Sequence, residues 1–195
     1  MTEVELDVAP KRKWFTAIGD STPEDWTILE AESEQLNAGL AERVMDHMLE
    51  LDDQASSFHV TRLDHSLQSA TRAYRADRDD EYVACALLHD IGDSLASYNH
   101  ADLAVAMIRP FARPAYQWMI EKHAIFQGYY FWHMIGGDRN ARDEYRDSPW
   151  FDLTVEFCAD YDNPAFDPAY PSMALEDFRP LLVEFFAAPR YLGNS

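Results

Sequence analysis

The sequence has few cysteines, few basic residues and no long apolar run, and each scarcity argues against a class of protein. Its two cysteines, Cys85 and Cys158, lie in no CxxC pair, so a disulfide scaffold or a cysteine-based zinc site is not expected. Only 16 basic residues stand against 35 acidic ones, and the formal net charge of -19 would repel nucleic acid. No run could span a bilayer, and the start MTEVELDVAPKRK lacks a signal-peptide pattern. We therefore expect a cytoplasmic protein without nucleic-acid or membrane partners.

The composition instead suits a globular helical protein. Hydrophobic residues make up 47% and aromatic residues 13% of 195 residues, which is enough to bury a core without disulfides. Apolar residues recur at three- and four-residue spacing, and no alternating strand pattern stands out. The sequence predicts an all-α fold with an irregular N-terminal arm over residues 1–20. Residues 21–195 are expected to form a single helical bundle, with the N-terminal helices packed on it.

Local signals predict where several helices begin and end. Thr22 precedes Pro23 and an acidic first turn, and Thr61 precedes an acidic turn as a second cap. The apolar run VACALL predicts a helix buried on most sides that ends at Gly92, and Asn99 is expected to cap the next helix.

Histidines and aspartates recur along these predicted helices in a pattern typical of a metal site. His65 lies near the start of one helix, and His89 is followed at once by Asp90, whose two oxygens could bridge two ions. Imidazole and carboxylate ligands suit iron, zinc or manganese. A pair of metals needs about six protein ligands. Further candidates are His100, His123 and one of two aspartates, Asp160 or Asp162.

The order LDHSLQ, ALLHDIGD and a late aspartate resembles the HD-domain superfamily over roughly residues 60 to 165. LDHSLQSATRA with ALLHDIGD is most similar to its mixed-valence di-iron oxygenases, which include the 2-amino-1-hydroxyethylphosphonate-cleaving and myo-inositol oxygenases. The resemblance implies an HD-domain helical bundle that holds two Fe ions, with Mn, Zn or Mg as alternatives. The resemblance favours Asp162 over Asp160 as the last ligand, because the aromatic residue Tyr161 immediately precedes Asp162. The implied ligands, catalytic through the metals, are His65, His89, Asp90, His100, His123 and Asp162.

The chain also departs from that branch at substrate-binding positions. Asp93 and Gln127 replace basic residues of that branch, so a phosphonate substrate is not expected. Phe58 replaces an acidic residue ahead of the first ligand, so the element that closes over the iron is expected to differ or to be missing. Gln127, Tyr130 and Asp93 remain the predicted substrate contacts, although Gln127 could instead orient a ligand and Tyr130 could be a core aromatic. Gln68 is predicted to support a ligand from the second layer.

Other polar residues are interpreted as structural. We expect His47 at the surface or its boundary, His133 packed in the core or at its boundary, and no ligand role for His59. Arg62 and Arg72 are expected in surface ion pairs. The favoured function is a di-iron oxygenase that uses O2 to oxidise a small polar metabolite at a carbon bearing hydroxyl or amine. A metal-dependent phosphohydrolase acting on a phosphate ester or nucleotide is the alternative, and a regulatory domain that keeps its metal for stability is a third. The oligomeric state stays open.

Overall fold

The computed structural model describes residues 15–52 and 58–191, which fall into two compact units, one ending at Gly39 and one beginning at Leu40. Every regular element within these ranges is helical, which confirms the all-α prediction. None of the described helices is both long and apolar enough to cross a bilayer. The α-helices are α1 (Pro23–Ala38), α2 (Leu40–Leu49), α3 (Arg62–Arg75), α4 (Asp80–Leu88), α5 (His100–Ile108), α6 (Pro114–Phe131), α7 (Phe151–Glu156) and α8 (Arg179–Phe185).

The first unit consists of a 3₁₀ turn, Ile18–Asp20, and α1. Thr22 caps α1 as predicted, through a capping box in which its side chain accepts from the backbone N–H of Asp25. Residues 1–14 of the predicted N-terminal arm lie outside the described residues.

The core of the second unit surrounds α4. Its residues from Tyr82 to Leu88 are all 0% exposed, which confirms a helix buried on nearly every side. α4 packs against α3, α6 and α8, and α5 packs along α6. Burying a large apolar side chain contributes about 1.5–3 kcal/mol, so this helix is a main source of stability for the unit.

The turn between α4 and α5 differs from its prediction. α4 ends at Leu88, not Gly92, and Asn99 makes no side-chain cap bond to α5. Gly92 is needed for another reason: a Cβ there would lie 2.5 Å from the carbonyl oxygen of His100. The absence of a side chain therefore lets the turn pack directly against the first residue of α5.

The segment after α7 changes its helical form. Phe157–Asp162 is a π-helix, and the N–H of Asn163 donates to the carbonyl of Cys158, five residues earlier, at 2.9 Å. Asp162 is only 2% exposed in this wider turn, whereas Asp160 is exposed. The apolar residues of WFDLTVEFCADYD predict an ordinary α-helix over this segment. The segment LEDFRPLLVEFFAA is predicted to be one helix as well, but it begins as a 3₁₀ turn, Leu175–Phe178, before α8.

Candidate metal centre

Four histidines and two aspartates meet inside the second unit, although they come from distant parts of the chain. They are supplied by α3, the residues that follow α4, the first turn of α5, the middle of α6 and the end of the π-helix. In chain order they are His65, His89, Asp90, His100, His123 and Asp162. These are the six residues predicted as ligands.

One group of donor atoms surrounds the Nε2 atom of His65. This atom lies 3.1 Å from His89 Nε2, 3.2 Å from Asp162 Oδ1 and 3.5 Å from Asp90 Oδ2. Two ligands bound at about 2.1 Å to one ion, roughly 90–110° apart, are separated by about 3.0–3.4 Å. The spacing in this first donor set therefore suits one metal ion.

The other oxygen of Asp90 belongs to a second donor set. Asp90 Oδ1 lies 3.1 Å from His123 Nε2 and 3.4 Å from His100 Nε2, and the two imidazole nitrogens are 3.3 Å apart. The spacing again suits one ion. Asp90 thus presents one oxygen to each set, which is the geometry of a bridging carboxylate.

All four histidines direct their Nδ1 atoms at oxygen acceptors. The partners are the carbonyl oxygens of Ala165 (3.1 Å from His65), Ala86 (2.8 Å from His89) and Ile120 (2.6 Å from His123), and Oδ1 of Asp93 (3.2 Å from His100). An Nδ1–H that donates leaves a lone pair on Nε2, and these lone pairs then face each other. Such convergence is unfavourable unless a cation lies between them, so the donor set fits bound metal.

The electrostatics of the cluster favour a cation as well. Burial lowers the pKa of His65, but the hydrogen bond and charge of Asp162 outweigh it and raise that pKa to about 9. Burial raises the pKa of Asp90, yet the charges and hydrogen bonds of His89 and His123 bring it well below its usual range. The Asp90 carboxylate is therefore ionised and is stabilised by positive charge beside it.

Gln68 supports the first donor set through the loop after the π-helix. Its Nε2 donates to the carbonyl of Asp167 at 3.0 Å, and its Oε1 accepts from the N–H of Asp167 at 3.3 Å. The same loop carries Ala165, whose carbonyl oxygen lies 3.1 Å from His65 Nδ1. Gln68 thus holds the backbone that orients a predicted ligand.

Arg72 holds this loop too, and its predicted surface ion pair is wrong. Its Nη2 donates to the carbonyl of Pro164 at 2.9 Å, and its guanidinium lies 3.9 Å from the ring centroid of Tyr170. Since α3 is fixed in the core, these contacts tie the loop to the helix that carries His65.

Asp93 contacts a histidine and an arginine, where the sequence predicted a substrate contact. Its Oδ1 lies 3.2 Å from His100 Nδ1, and its Oδ2 accepts from Arg62 Nε at 3.1 Å. A carboxylate that accepts from the far nitrogen of a ligating histidine fixes the ring and raises its basicity. The surface ion pair expected for Arg62 is confirmed, with Asp93 as its partner.

The other two predicted substrate contacts differ in their surroundings. Gln127 Nε2 donates to Asp162 Oδ1 at 3.0 Å, in keeping with the alternative that it orients a ligand. Within the described residues, Gln127 Oε1 and Asp162 Oδ2 are buried without a hydrogen-bond partner. Tyr130 is half-buried and packs against the core, and its ring meets that of Tyr129 edge-on at 5.4 Å.

Sequence reasoning missed an aromatic residue beside the first donor set. The ring of Phe166 lies 4.5 Å from that of His65, and Phe58 lies 5.4 Å from Phe166. Phe166 follows the predicted ligand Asp162 within a proline-rich loop, where no periodic pattern marks an inward-facing position. Only its nearness to Asp162 in the sequence could have suggested it.

The remaining histidines lie apart from the cluster. His47 Nε2 lies 3.2 Å from the carbonyl oxygen of Ile91. His59 and His133 are exposed. None of the three belongs to a potential metal group among the described residues. The boundary position predicted for His47 is confirmed, whereas the packed position predicted for His133 is wrong, because its side chain follows the end of α6 and is exposed.

Residues 62–147 match the family model of the HD domain. The matched range contains five of the six clustered residues and ends before Asp162. A comparison with curated proteins finds no significant match. Proteins with an HD domain are metal-dependent enzymes that include hydrolases and oxygenases, and the buried histidine and aspartate cluster could hold metal ions. The match thus supports membership of the HD-domain superfamily for this segment.

Proposed function

We propose that this protein is a di-iron HD-domain oxygenase that uses O2 to oxidise a small polar metabolite at a carbon bearing a hydroxyl or amine group. The observation that carries the proposal is the position of Asp90, which presents Oδ2 to His65 and His89 and Oδ1 to His100 and His123. Imidazole and carboxylate donors in this ratio suit iron. Small-molecule substrate and O2 are the proposed partners, and nucleic acid is not one.

The surroundings of the cluster favour oxidation over phosphate chemistry. Two arginines of α3, the helix that carries His65, already have partners: Arg62 donates to Asp93, and Arg72 donates to the carbonyl of Pro164. Aromatic rings cover other sides, since Phe166 lies against His65 and Phe157 lies 5.5 Å from His89. A phosphate ester would need positive charge here, whereas a reaction with O2 benefits from an apolar wall that excludes water.

In this proposal different residues hold the metal ions and contact the substrate. His65, His89 and Asp162 would hold one ion, His100 and His123 would hold the other, and Asp90 would offer one oxygen to each. Bound iron would supply the one-electron chemistry that dioxygen requires. The side chains of Asp90 and His100 are 17% and 22% exposed, against 8% or less for His65, His89, His123 and Asp162. Substrate would therefore approach from the second donor set, and Tyr130 is the proposed contact for its polar group.

Metal analysis with electron paramagnetic resonance tests this function. Protein produced in iron-replete medium should contain about two iron ions per chain, and partial reduction should give a mixed-valence signal. Asp90→Ala should abolish that signal, and His133→Ala, at an exposed histidine outside the cluster, should keep it. A single zinc or manganese ion together with phosphatase turnover would contradict the oxygenase proposal.

A metal-dependent phosphohydrolase is the second candidate, favoured by the match to a domain that also occurs in hydrolases. Two ions that share a carboxylate can generate a hydroxide and clamp a phosphate ester. The same preparations distinguish the two functions, because a hydrolase would release phosphate from esters without consuming O2.

A further inference from the structure

Two arginines beyond the C-terminal end of α6 have buried N–H groups without acceptors. Arg139 and Arg142 lie before and within the 3₁₀ turn Ala141–Tyr145, with Cζ atoms 4.3 and 3.6 Å from the ring centroid of Tyr129. Over the described part of the chain, Nε of Arg139 and Nε and Nη1 of Arg142 are buried and make no hydrogen bond. Buried guanidinium donors are normally satisfied, so these need a partner.

The acidic side chains nearest in sequence do not supply that partner. Asp138 Oδ1 accepts from the backbone N–H of Asn140 at 2.8 Å, and Asp143 Oδ1 pairs with Arg146 at 2.9 Å. In a chain with 35 acidic and 16 basic residues, an arginine has many carboxylates to choose from. The buried N–H groups of Arg139 and Arg142 nevertheless meet none of them within the described residues.

The two guanidinium groups are also close to one another. Their Cζ atoms can be no farther apart than the sum of the two distances to the Tyr129 centroid, about 8 Å. Salt screens partly buried charges at such a separation only in part, so the two guanidinium groups still repel each other. A bound anion would remove this repulsion and satisfy the donors together.

The site borders a half-buried tyrosine. Burial raises the pKa of the Tyr130 hydroxyl, and the positive charge of Arg142 opposes that rise, so the guanidinium lies near it. The neighbouring ring of Tyr129 fixes the guanidinium groups by cation–π contact. The donors are thus held in place before any ligand arrives, which lowers the entropy cost of binding one.

We propose that Arg139 and Arg142 form a binding site for a small oxyanion, a carboxylate or a phosphate group. Guanidinium N–H groups bind both through charge-assisted hydrogen bonds. None of the residues in the candidate metal centre takes part, so the site does not depend on the identity of the metals. The competing explanation is that both arginines only pack against Tyr129.

Calorimetric titration of the full-length, metal-loaded protein tests the site. Sodium phosphate and sodium succinate are titrated separately at constant ionic strength, which distinguishes phosphate from carboxylate as the preferred ligand. At least one should bind saturably, and Arg139→Gln with Arg142→Gln should weaken that binding at least about tenfold. Arg146→Gln, at an exposed arginine just beyond the same turn, is the matched control and should bind like the unchanged protein.

Two results of these titrations would contradict the anion site. Binding of neither anion to the unchanged protein would overturn the proposal. Unaltered binding by the double variant would do the same, because it would locate the anion elsewhere, including on the metals.

Single variants cover the case in which the double variant does not fold. Bound anion should raise the melting temperature of the unchanged protein and of Arg146→Gln, and raise it less in Arg139→Gln and Arg142→Gln. If the arginines only pack against Tyr129, the single variants will have a lower melting temperature with the same anion-dependent rise. That pattern would overturn the anion site.

Discussion

The two donor sets of the candidate metal centre are built in different ways. In the first set, His65 depends on a loop about a hundred residues farther along the chain, through Ala165 and the ligand Asp162. In the second, His100 is held by Asp93 from the adjoining turn, and Gly92 lets that turn pack against its backbone. The first set therefore depends on the tertiary fold, and the second on a local turn that is open to solvent. The two should respond separately to substitution.

The largest effect is expected for Asp90, which presents one oxygen to each donor set. Asp90→Ala removes one donor oxygen from each set and the negative charge between four histidines, so both ions should be lost. Metal analysis should find almost no iron, and the melting temperature should fall because metal binding contributes to folding free energy. Asp160→Ala, at an exposed carboxylate, is the control. Normal iron content in the Asp90 variant would mean that this residue does not bridge two ions.

A change confined to the first set should remove one ion. Asp162→Ala deletes a buried donor that lies 3.2 Å from His65 Nε2, while the second set keeps all three of its donor atoms. We expect the iron content to fall from about two ions to about one, with the mixed-valence signal lost. Greater iron loss from Asp160→Ala than from Asp162→Ala would show that the wrong aspartate has been chosen.

A change beside the second set should weaken its ion without removing it. Asp93→Asn keeps the size of the side chain but loses the charge that His100 Nδ1 and Arg62 face. Loss of such a partner typically costs about 10- to 100-fold in metal affinity. Chelator competition should show one ion leaving more readily and the other unchanged. Asp102→Asn, an exposed acid in the first turn of α5, controls for the loss of charge near His100.

If both ions weaken equally in Asp93→Asn, the sets are not independent and the contrast between them fails. If neither weakens, Asp93 has another role, and the substrate contact predicted from the sequence regains support.

The same contrast explains how far the sequence could predict the site. Ligand identity follows from short motifs and their order, and the cap of α3 follows from Thr61 and Asp64, because each pattern is local. The residues that hold these ligands in position could not be predicted from local patterns. Gln68 and Asp167 meet across ninety-nine positions, and no spacing rule relates them.

The π-helix that carries Asp162 was missed for a related physical reason. Its sequence, FCADYD, has nothing that forbids an α-helix, and the wider turn exists because it buries both Tyr161 and Asp162. That gain comes from tertiary packing and from the cluster, not from local preference. The orientation of the Asp93 side chain likewise depends on a hydrogen bond from Arg62, which lies thirty-one positions earlier.

The smallest effect is expected for Gln68, which supports the first donor set without belonging to it. Gln68→Ala removes two hydrogen bonds to the backbone of Asp167, and the loop that positions Ala165 should move more freely. We expect a loss of about 1–3 kcal/mol in the free energy of unfolding, with a modest weakening of the first ion alone.

A matched control separates this support from general destabilisation. Gln117→Ala removes hydrogen bonds to the carbonyls of Arg109 and Ala112, which belong to the connection between α5 and α6. It should lower stability without changing the affinity of the first ion, when both variants are compared by denaturation and by chelator competition. Equal weakening in the two variants would assign the effect to lost stability. A change in the Gln68 variant alone would show that the loop positions His65, since Gln68 contacts no donor atom itself.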